Sequence, residues 1–205
     1  MYLLFVGLAC GVLMAVIAIY IRNVLSGSIG MNLTTWAIST VATWIQTITY
    51  FWTATEPLLL AMSIIMSVGV TTIMVLAWRG GNFPKWKLFD KIVAGITLLC
   101  VVVGAIVTAA VGATLGGKVA NVIVQLALFM SMVPTYLDLR AKRISDDPLP
   151  WGLAVYAYVF QTIAAVLAIE IWTSDWPQIV NPILVGLCGN GMVTFAAYRN
   201  KRQGS

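Results

Sequence analysis

Long apolar runs broken by short polar stretches dominate the chain. Seven of them approach or exceed the roughly 20 residues that a helix needs to cross the hydrocarbon of a bilayer. They are Leu3–Ile21, Asn32–Thr53, Pro57–Trp78, Leu88–Ala113, Val119–Leu137, Trp151–Trp172 and Pro177–Tyr198. None alternates apolar with polar positions as the strands of a membrane barrel do. The pattern therefore predicts an all-α integral membrane protein with seven transmembrane helices. The breaks are too short for a separate soluble domain. Pro57 and Pro177 stand at helix starts, where a missing N–H costs no hydrogen bond. Pro134 falls inside the fifth run, removes a backbone donor and can act as a hinge. The first run lacks the basic leader and short apolar core of a secretory signal, so it is read as a span. Leu8-Ala9-Cys10-Gly11 is a weak match to a lipoprotein cleavage site, because Gly7 stands where a large aliphatic residue is expected. Gly204-Ser205 reads as a cloning remnant and is set aside.

A repeat underlies the runs. Trp36-x5-Ala42-x3-Gln46-Thr47-Ile48 recurs 115 residues later as Trp151-x5-Ala157-x3-Gln161-Thr162-Ile163. The preceding helices align at an offset of 116, pairing Val6 with Val122, Met14 with Met130 and Tyr20 with Tyr136. The following helices align at an offset of 120, pairing Pro57 with Pro177, Gly69 with Gly189, Ala77 with Ala197 and Arg79 with Arg199. Helices 1–3 therefore repeat as helices 5–7, and helix 4 has no counterpart. A three-helix unit ends on the opposite side of the membrane from its start. One extra helix must return the chain before a second unit of the same orientation can begin. The expected organisation is two parallel repeats, residues 1–79 and 118–203, joined by a cytoplasmic loop and linker helix over 80–117.

Charge sets the expected orientation. Arg22, Arg79, Lys85, Lys87, Lys91, Arg140, Lys142, Arg143, Arg199, Lys201 and Arg202 fall on one side, and Lys118 alone on the other. The positive-inside rule puts the N-terminus outside and the C-terminus in the cytoplasm. The net charge of +5 is then a topology signal and not a nucleic-acid footprint.

Composition narrows the function classes. The chain is 60% apolar and 9% charged, against about 45–50% and 25% in soluble domains. It has no histidine, which removes histidine-based catalytic arrangements, metal sites and pH switches. Cys10, Cys100 and Cys188 all fall in apolar runs without metal-ligand spacing. No phosphate loop, nucleophile elbow or pair of carboxylates occurs, so no enzyme activity, cofactor or metal is expected. The stretch from Gln178 to Tyr198 lacks the lysine that a retinal protein needs. No Asp, Glu, Lys or Arg lies at the centre of a run; Glu56, Glu170 and Asp175 lie near the outer ends. That favours a facilitator of a neutral solute over an ion-driven carrier. The alternative is a non-transporting receptor or assembly partner, with Arg140-Ala141-Lys142-Arg143 as its first docking surface. The expected location is a bacterial inner membrane. Homo-oligomerisation is left open.

Polar residues inside the runs mark the candidate site. Ser39, Thr43, Gln46 and Tyr50 share one face of helix 2, and Ala154, Tyr158, Gln161 and Ala165 share the matched face of helix 6. An amide in a span needs a partner, so Gln46 and Gln161 either tie helices together or line a central cavity. Asn121 and Gln125 form a second polar pair, one turn apart on helix 5. Trp44 and Tyr158 can stack on a solute ring or face lipid and neighbouring helices. Asn181 and Asn190 are nine residues apart, about two and a half α-helical turns, and so face opposite ways on a straight α-helix. Asn181 precedes Pro182 and reads as a helix start. Gly189 and Gly191 suit close helix packing. Trp78, Trp86, Trp151, Trp172 and Trp176 lie near run ends and read as interface anchors. Phe83, Trp86 and Phe89 interleave with Lys85, Lys87 and Lys91, which suits the headgroup layer.

The 3+1+3 order resembles that of the SWEET sugar facilitators, their half-size SemiSWEET relatives and the wider PQ-loop superfamily. Nicotinamide riboside transporters share the plan. The chain is similar to a divergent bacterial-type member. Helix 5 carries Pro134-Thr135 where the superfamily has Pro-Gln, and helix 1 carries Ala18-Ile19. The resemblance implies facilitated diffusion of a sugar, nucleoside or vitamin by alternating access between the repeats. It also implies a substrate held between asparagines of helices 3 and 7. Asn190 matches in helix 7, whereas Val70 stands at the helix 3 position with Thr71 and Thr72 beside it. The expected site is thus Gln46, Gln161, Tyr50, Tyr158, Trp44, Thr43, Gln125, Asn121 and Asn190.

Overall fold

The computed structural model describes residues 1–53, 57–81, 87–168 and 177–204. Among them every regular element is a helix: α1 (Tyr2–Leu25), α2 (Leu33–Thr53), α3 (Pro57–Arg79), α4 (Leu88–Val111), α5 (Ala113–Arg140) and α6 (Pro148–Ala168). The last run, here α7, is one helical stretch in three parts: Pro177–Val180, a π-helical segment Asn181–Asn190, and Gly191–Gly204. Among the described residues five helices are long and apolar enough to cross a membrane: Tyr2–Leu25, Leu60–Arg79, Leu88–Val111, Leu115–Arg140 and Pro148–Ala168. Such helices fit a membrane protein.

The elements overrun the expected runs where polar residues find partners. α1 continues past Ile21 to Leu25 because Asn23 is held from outside the helix, its Nδ2 donating to Asp147 Oδ2 at 3.0 Å. α5 begins at Ala113, six residues before the expected start at Val119. Gly116, Gly117 and Lys118 read as a loop, yet this end of the helix runs along α4. There a Cβ on Gly104 would meet the Ala120 methyl at 3.4 Å.

α2 is not among the five, and its faces explain why. Thr34, Thr35, Ser39, Thr43, Gln46, Thr47 and Thr49 lower its hydropathy, and all are buried. Its exposed large residues are Val41, Trp44, Ile48 and Phe51, at i, i+3, i+7 and i+10. A helix in water shows the opposite pattern, apolar inward and polar outward. An apolar outer face around a polar inner one is what a lipid solvent selects.

Packing places six helices in a ring and one outside it. α1 packs on α3 and α6, α2 on α3 and α5, and α7 on α5 and α6; α4 lies outside against α5 and α2. The ring order is α1, α3, α2, α5, α7, α6. Exchanging α1, α2, α3 with α5, α6, α7 leaves these ring neighbours unchanged. Two glycines at matched positions make equivalent approaches. A Cβ on Gly69 of α3 would overlap Ile17 of α1, and one on Gly189 of α7 would meet Met132 Sδ of α5 at 2.5 Å.

Arg22, Arg140, Lys142, Arg143 and Arg199 gather where α1, α5 and α7 end and α2 and α6 begin. At this basic end two loops join: Gly30 N–H donates to Ser145 O at 2.8 Å, and Asn200 Nδ2 donates to Ile144 O at 3.1 Å. Asp138 of α5 is buried and accepts from Asn32 Nδ2 at 2.8 Å and from the Lys87 ammonium, with Arg143 at 3.5 Å. It ties the starts of α2 and α4 to the end of α5. The α2–α5 seam is also polar. Thr35 Oγ1 donates to Ser131 O at 2.6 Å, and Thr135 Oγ1 donates to Thr35 Oγ1 at 2.9 Å. Pro134 lies between these partners, and α5 runs through it unbroken.

Candidate functional site: a cavity inside the helix ring

All six ring helices contribute to a central cavity with room for the centres of water-sized molecules of about 80 Å³. That exceeds the roughly 10–15 Å³ that one water needs. Gln46 of α2 and Gln161 of α6 both line it, with Ser39, Thr43, Tyr158, Asn181 and Asn190. The matched glutamines of the repeat thus meet at one cavity. α1 and α3 supply Leu13, Val16, Ile17, Met62, Met66, Val70 and Ile73.

Most of the polar lining is already satisfied by protein. Ser39 Oγ is 3.1 Å from Ser131 Oγ, and Thr43 Oγ1 donates to Thr40 O at 3.1 Å. Ser63 Oγ is 2.9 Å from Thr47 Oγ1, and Asn190 Nδ2 donates to Val185 O at 2.9 Å. Two lining amides differ. Gln161 Oε1 and Asn181 Oδ1 are buried and have no hydrogen-bond partner among the described residues. A buried carbonyl oxygen without a donor costs about 1–3 kcal/mol, a cost that a donor placed in the cavity would relieve.

α7 departs from the expected geometry. A π-helix bonds i to i+5 and turns about once per 4.4 residues. Nine residues then make close to two full turns, and Asn181 and Asn190 point into the same cavity. The expectation of opposite faces is corrected, as is the reading of Asn181 as a mere helix start. Gly186 lies between them against Tyr158; a Cβ there would overlap the Tyr158 ring. Gly189 also packs closely, whereas a Cβ on Gly191 would meet nothing within 4 Å, so Gly191 makes no close contact.

Several expected site residues lie elsewhere. Trp44 is 41% exposed on the outer face of α2 and donates from Nε1 to Thr71 Oγ1 at 3.0 Å, so it does not stack in the cavity. Thr71 and Thr72 bond back to Ser67 O and Val68 O and do not replace an asparagine in the lining. Asn121 and Gln125 are buried and bond to each other, Gln125 Nε2 to Asn121 Oδ1 at 2.7 Å, outside the cavity. Tyr50 is buried beside Gln46 and Asn121 but does not line the cavity. Trp86, Trp172, Trp176, Glu56, Glu170 and Asp175 lie outside the described residues.

The basic end of the cavity is lined by residues that pattern reasoning underrated. Tyr20, Trp36 and Trp151 pack on one another with ring centroids 4.8, 5.9 and 6.2 Å apart. Trp151 is buried here and is not an interface anchor. Asp146, in the loop before α6, fixes two of the rings: Tyr20 Oη donates to Oδ2 at 2.6 Å and Trp151 Nε1 to the same oxygen at 2.9 Å. Its Oδ1 accepts from the Asp147 N–H at 2.8 Å. Burial pushes the Asp146 carboxyl up to about 7, and adjacent Asp147 adds to the rise against these hydrogen bonds. A signal was available: Trp36 and Trp151 open the two copies of the repeated motif, and Asp146-Asp147 is an acidic pair in a basic loop.

No protein-family model, no curated protein and no solved structure matches the chain.

Proposed function

We propose that the protein is a membrane facilitator that moves a small neutral solute by alternating access between two parallel three-helix units, α1–α3 and α5–α7. In this reading all seven helices span the bilayer, the basic end faces the cytoplasm, and α4 links the units. The observation that carries it is the central cavity lined by the matched Gln46 and Gln161, with Gln161 Oε1 left without a partner among the described residues. The apolar outer face of α2 supports its placement in lipid, and the exchangeable ring neighbours support the two-unit plan. On this reading the plan resembles that of SWEET-like carriers, and in transporters built from repeats the sites lie at the repeat interface near the midplane.

The geometry suggests a working cycle. Closure at the cytoplasmic end is made by the Tyr20, Trp36 and Trp151 rings, by Asp146 and by the joined loops. Opening that end requires α1 and α2 to part from the loop ahead of α6. Among the described residues the bonds from the first unit to that loop are Tyr20 to Asp146, Asn23 to Asp147 and Gly30 to Ser145, and Asn32 to Asp138 adds a further cross-unit bond at this end.

Proteoliposomes offered radiolabelled glucose, adenosine and nicotinamide test this directly. Uptake of at least one is expected. A folded Gln46→Ala, Gln161→Ala double variant is expected to lose at least tenfold of that rate. An equal rate in the variant removes the glutamines from the path, and no uptake of any solute favours a non-transporting receptor.

A further inference from the structure

We propose that the cavity recognises a flat, uncharged solute whose edge sets an N–H donor beside an acceptor, the carboxamide or amino-heteroaromatic class, in preference to a polyhydroxylated sugar. This rests on reading the cavity as the substrate site. Its basis is the uneven distribution of unmet polar groups around the ring.

On one wall, Gln161 of α6 and Asn181 of α7 are 3% and 4% exposed, and each has a carbonyl oxygen without a donor among the described residues. These helices are neighbours, so the two amides form one polar wall. Across the ring from α7 stands α3, which contributes Met62, Met66, Val70 and Ile73. Its one hydroxyl in the lining, Ser63, is engaged with Thr47. The repeat is therefore broken in chemistry where it is kept in shape: Asn181 and Asn190 stand where α3 has Ala61 and Val70.

A sugar carries hydroxyls around its whole rim. Seated here it would press several of them against methionine and branched aliphatic side chains, with no partner to replace water. A planar ring with one polar edge meets both walls. Asparagine and glutamine amides pair in two-point fashion with an adjacent donor and acceptor, as they do with the N6 and N7 edge of adenine. Among the described residues no ionisable acid or base other than tyrosine lines the cavity, which disfavours a charged solute.

Calorimetry on the purified full chain in detergent tests this with adenine, benzamide, glucose and myo-inositol as probes. Adenine or benzamide is expected to bind, with glucose and myo-inositol at least tenfold weaker. Gln161→Met and Asn181→Leu are each expected to weaken adenine or benzamide binding tenfold or more, whereas Ser63→Ala on the opposite wall should stay within threefold. Elution as the same monodisperse species checks folding, and either variant alone decides the point. Equal or tighter binding of glucose, no binding of adenine or benzamide, or unchanged affinity in a folded variant overturns the inference. Binding and flux separate the two readings. Glucose uptake without adenine binding keeps the transporter and overturns this recognition; adenine binding without uptake of any solute does the reverse.

Discussion

A methyl group added at Gly186 would overlap the base of the Tyr158 side chain, its Cβ and Cγ, which cannot swing aside as a flexible tip can. Overpacking of this kind typically costs about 1–3 kcal/mol. Gly186→Ala is therefore expected to lower the melting temperature clearly. Gly189→Ala should cost less, because it meets the end of the flexible Met132 side chain. Equal losses in the two variants would contradict the packing described at Tyr158. Asp146 makes a different residue-level case. Its folded carboxyl titrates near 7, against 3.8 for the free group. A raised acid binds its proton more tightly when folded, so its contribution to stability is present below about pH 4 and is lost as pH rises towards 7. Asp146→Asn is neutral throughout and keeps an acceptor for Tyr20 and Trp151. The melting temperature of the variant relative to wild type should rise between pH 4 and 7.5 and level off above. A difference constant with pH would show that Asp146 titrates normally. Gly186 was not legible as special in the sequence, and the acidic pair marked Asp146 without revealing its contact with Tyr20, because each depends on a neighbour more than 25 residues away in the chain.

At the scale of the element, α2 and α7 carry the most information. The face of α2 was legible: Ser39, Thr43 and Gln46 were expected to share an inner stripe, and they do line the cavity. What the stripe could not reveal is that Tyr50, on the same face, lies past the cavity's edge. α7 was legible as a helix but not as a π-helix, since hydrophobic periodicity assumes the α-helical turn. The consequence can be checked with Asn181→Cys and Asn190→Cys, each in a background lacking Cys10, Cys100 and Cys188. Both positions are expected to react with a small thiol reagent at similar rates, and a bound probe should protect both. Reaction at one position alone would indicate an ordinary α-helical turn there. The outer face of α2 gives a further test. Ile48→Lys puts a charge where lipid is expected, which costs roughly 2.5–3.5 kcal/mol at a helix centre. Strongly reduced membrane insertion is the expected outcome, measured by glycosylation mapping. Normal insertion would remove α2 from the bilayer.

Across the whole molecule, the repeated motif foretold which helices are equivalent but not how they would be arranged. The ring order, with α3 between α1 and α2 and α7 between α5 and α6, follows from close approaches at Gly69 and Gly189. The sequence pattern assigned Gly189 to close helix packing and marked Gly69 only as its repeat counterpart. The ring leaves the two units touching along α1–α6 and α2–α5, so any change of access must act at these two seams. The loops at the basic end are where the proposed cycle is most open to experiment. Asn23 and Asp147 meet there, one from each unit, with Nδ2 and Oδ2 3.0 Å apart. The decisive measurement is uptake of radiolabelled glucose, adenosine and nicotinamide by proteoliposomes. The protein in them carries Asn23→Cys and Asp147→Cys in a background free of native cysteines, joined by a short bis-thiol crosslinker with a cleavable bond. Alternating access requires uptake before crosslinking, a loss of at least tenfold after it, and recovery when the crosslink is cleaved; uptake that continues unchanged with the two loops joined would contradict it.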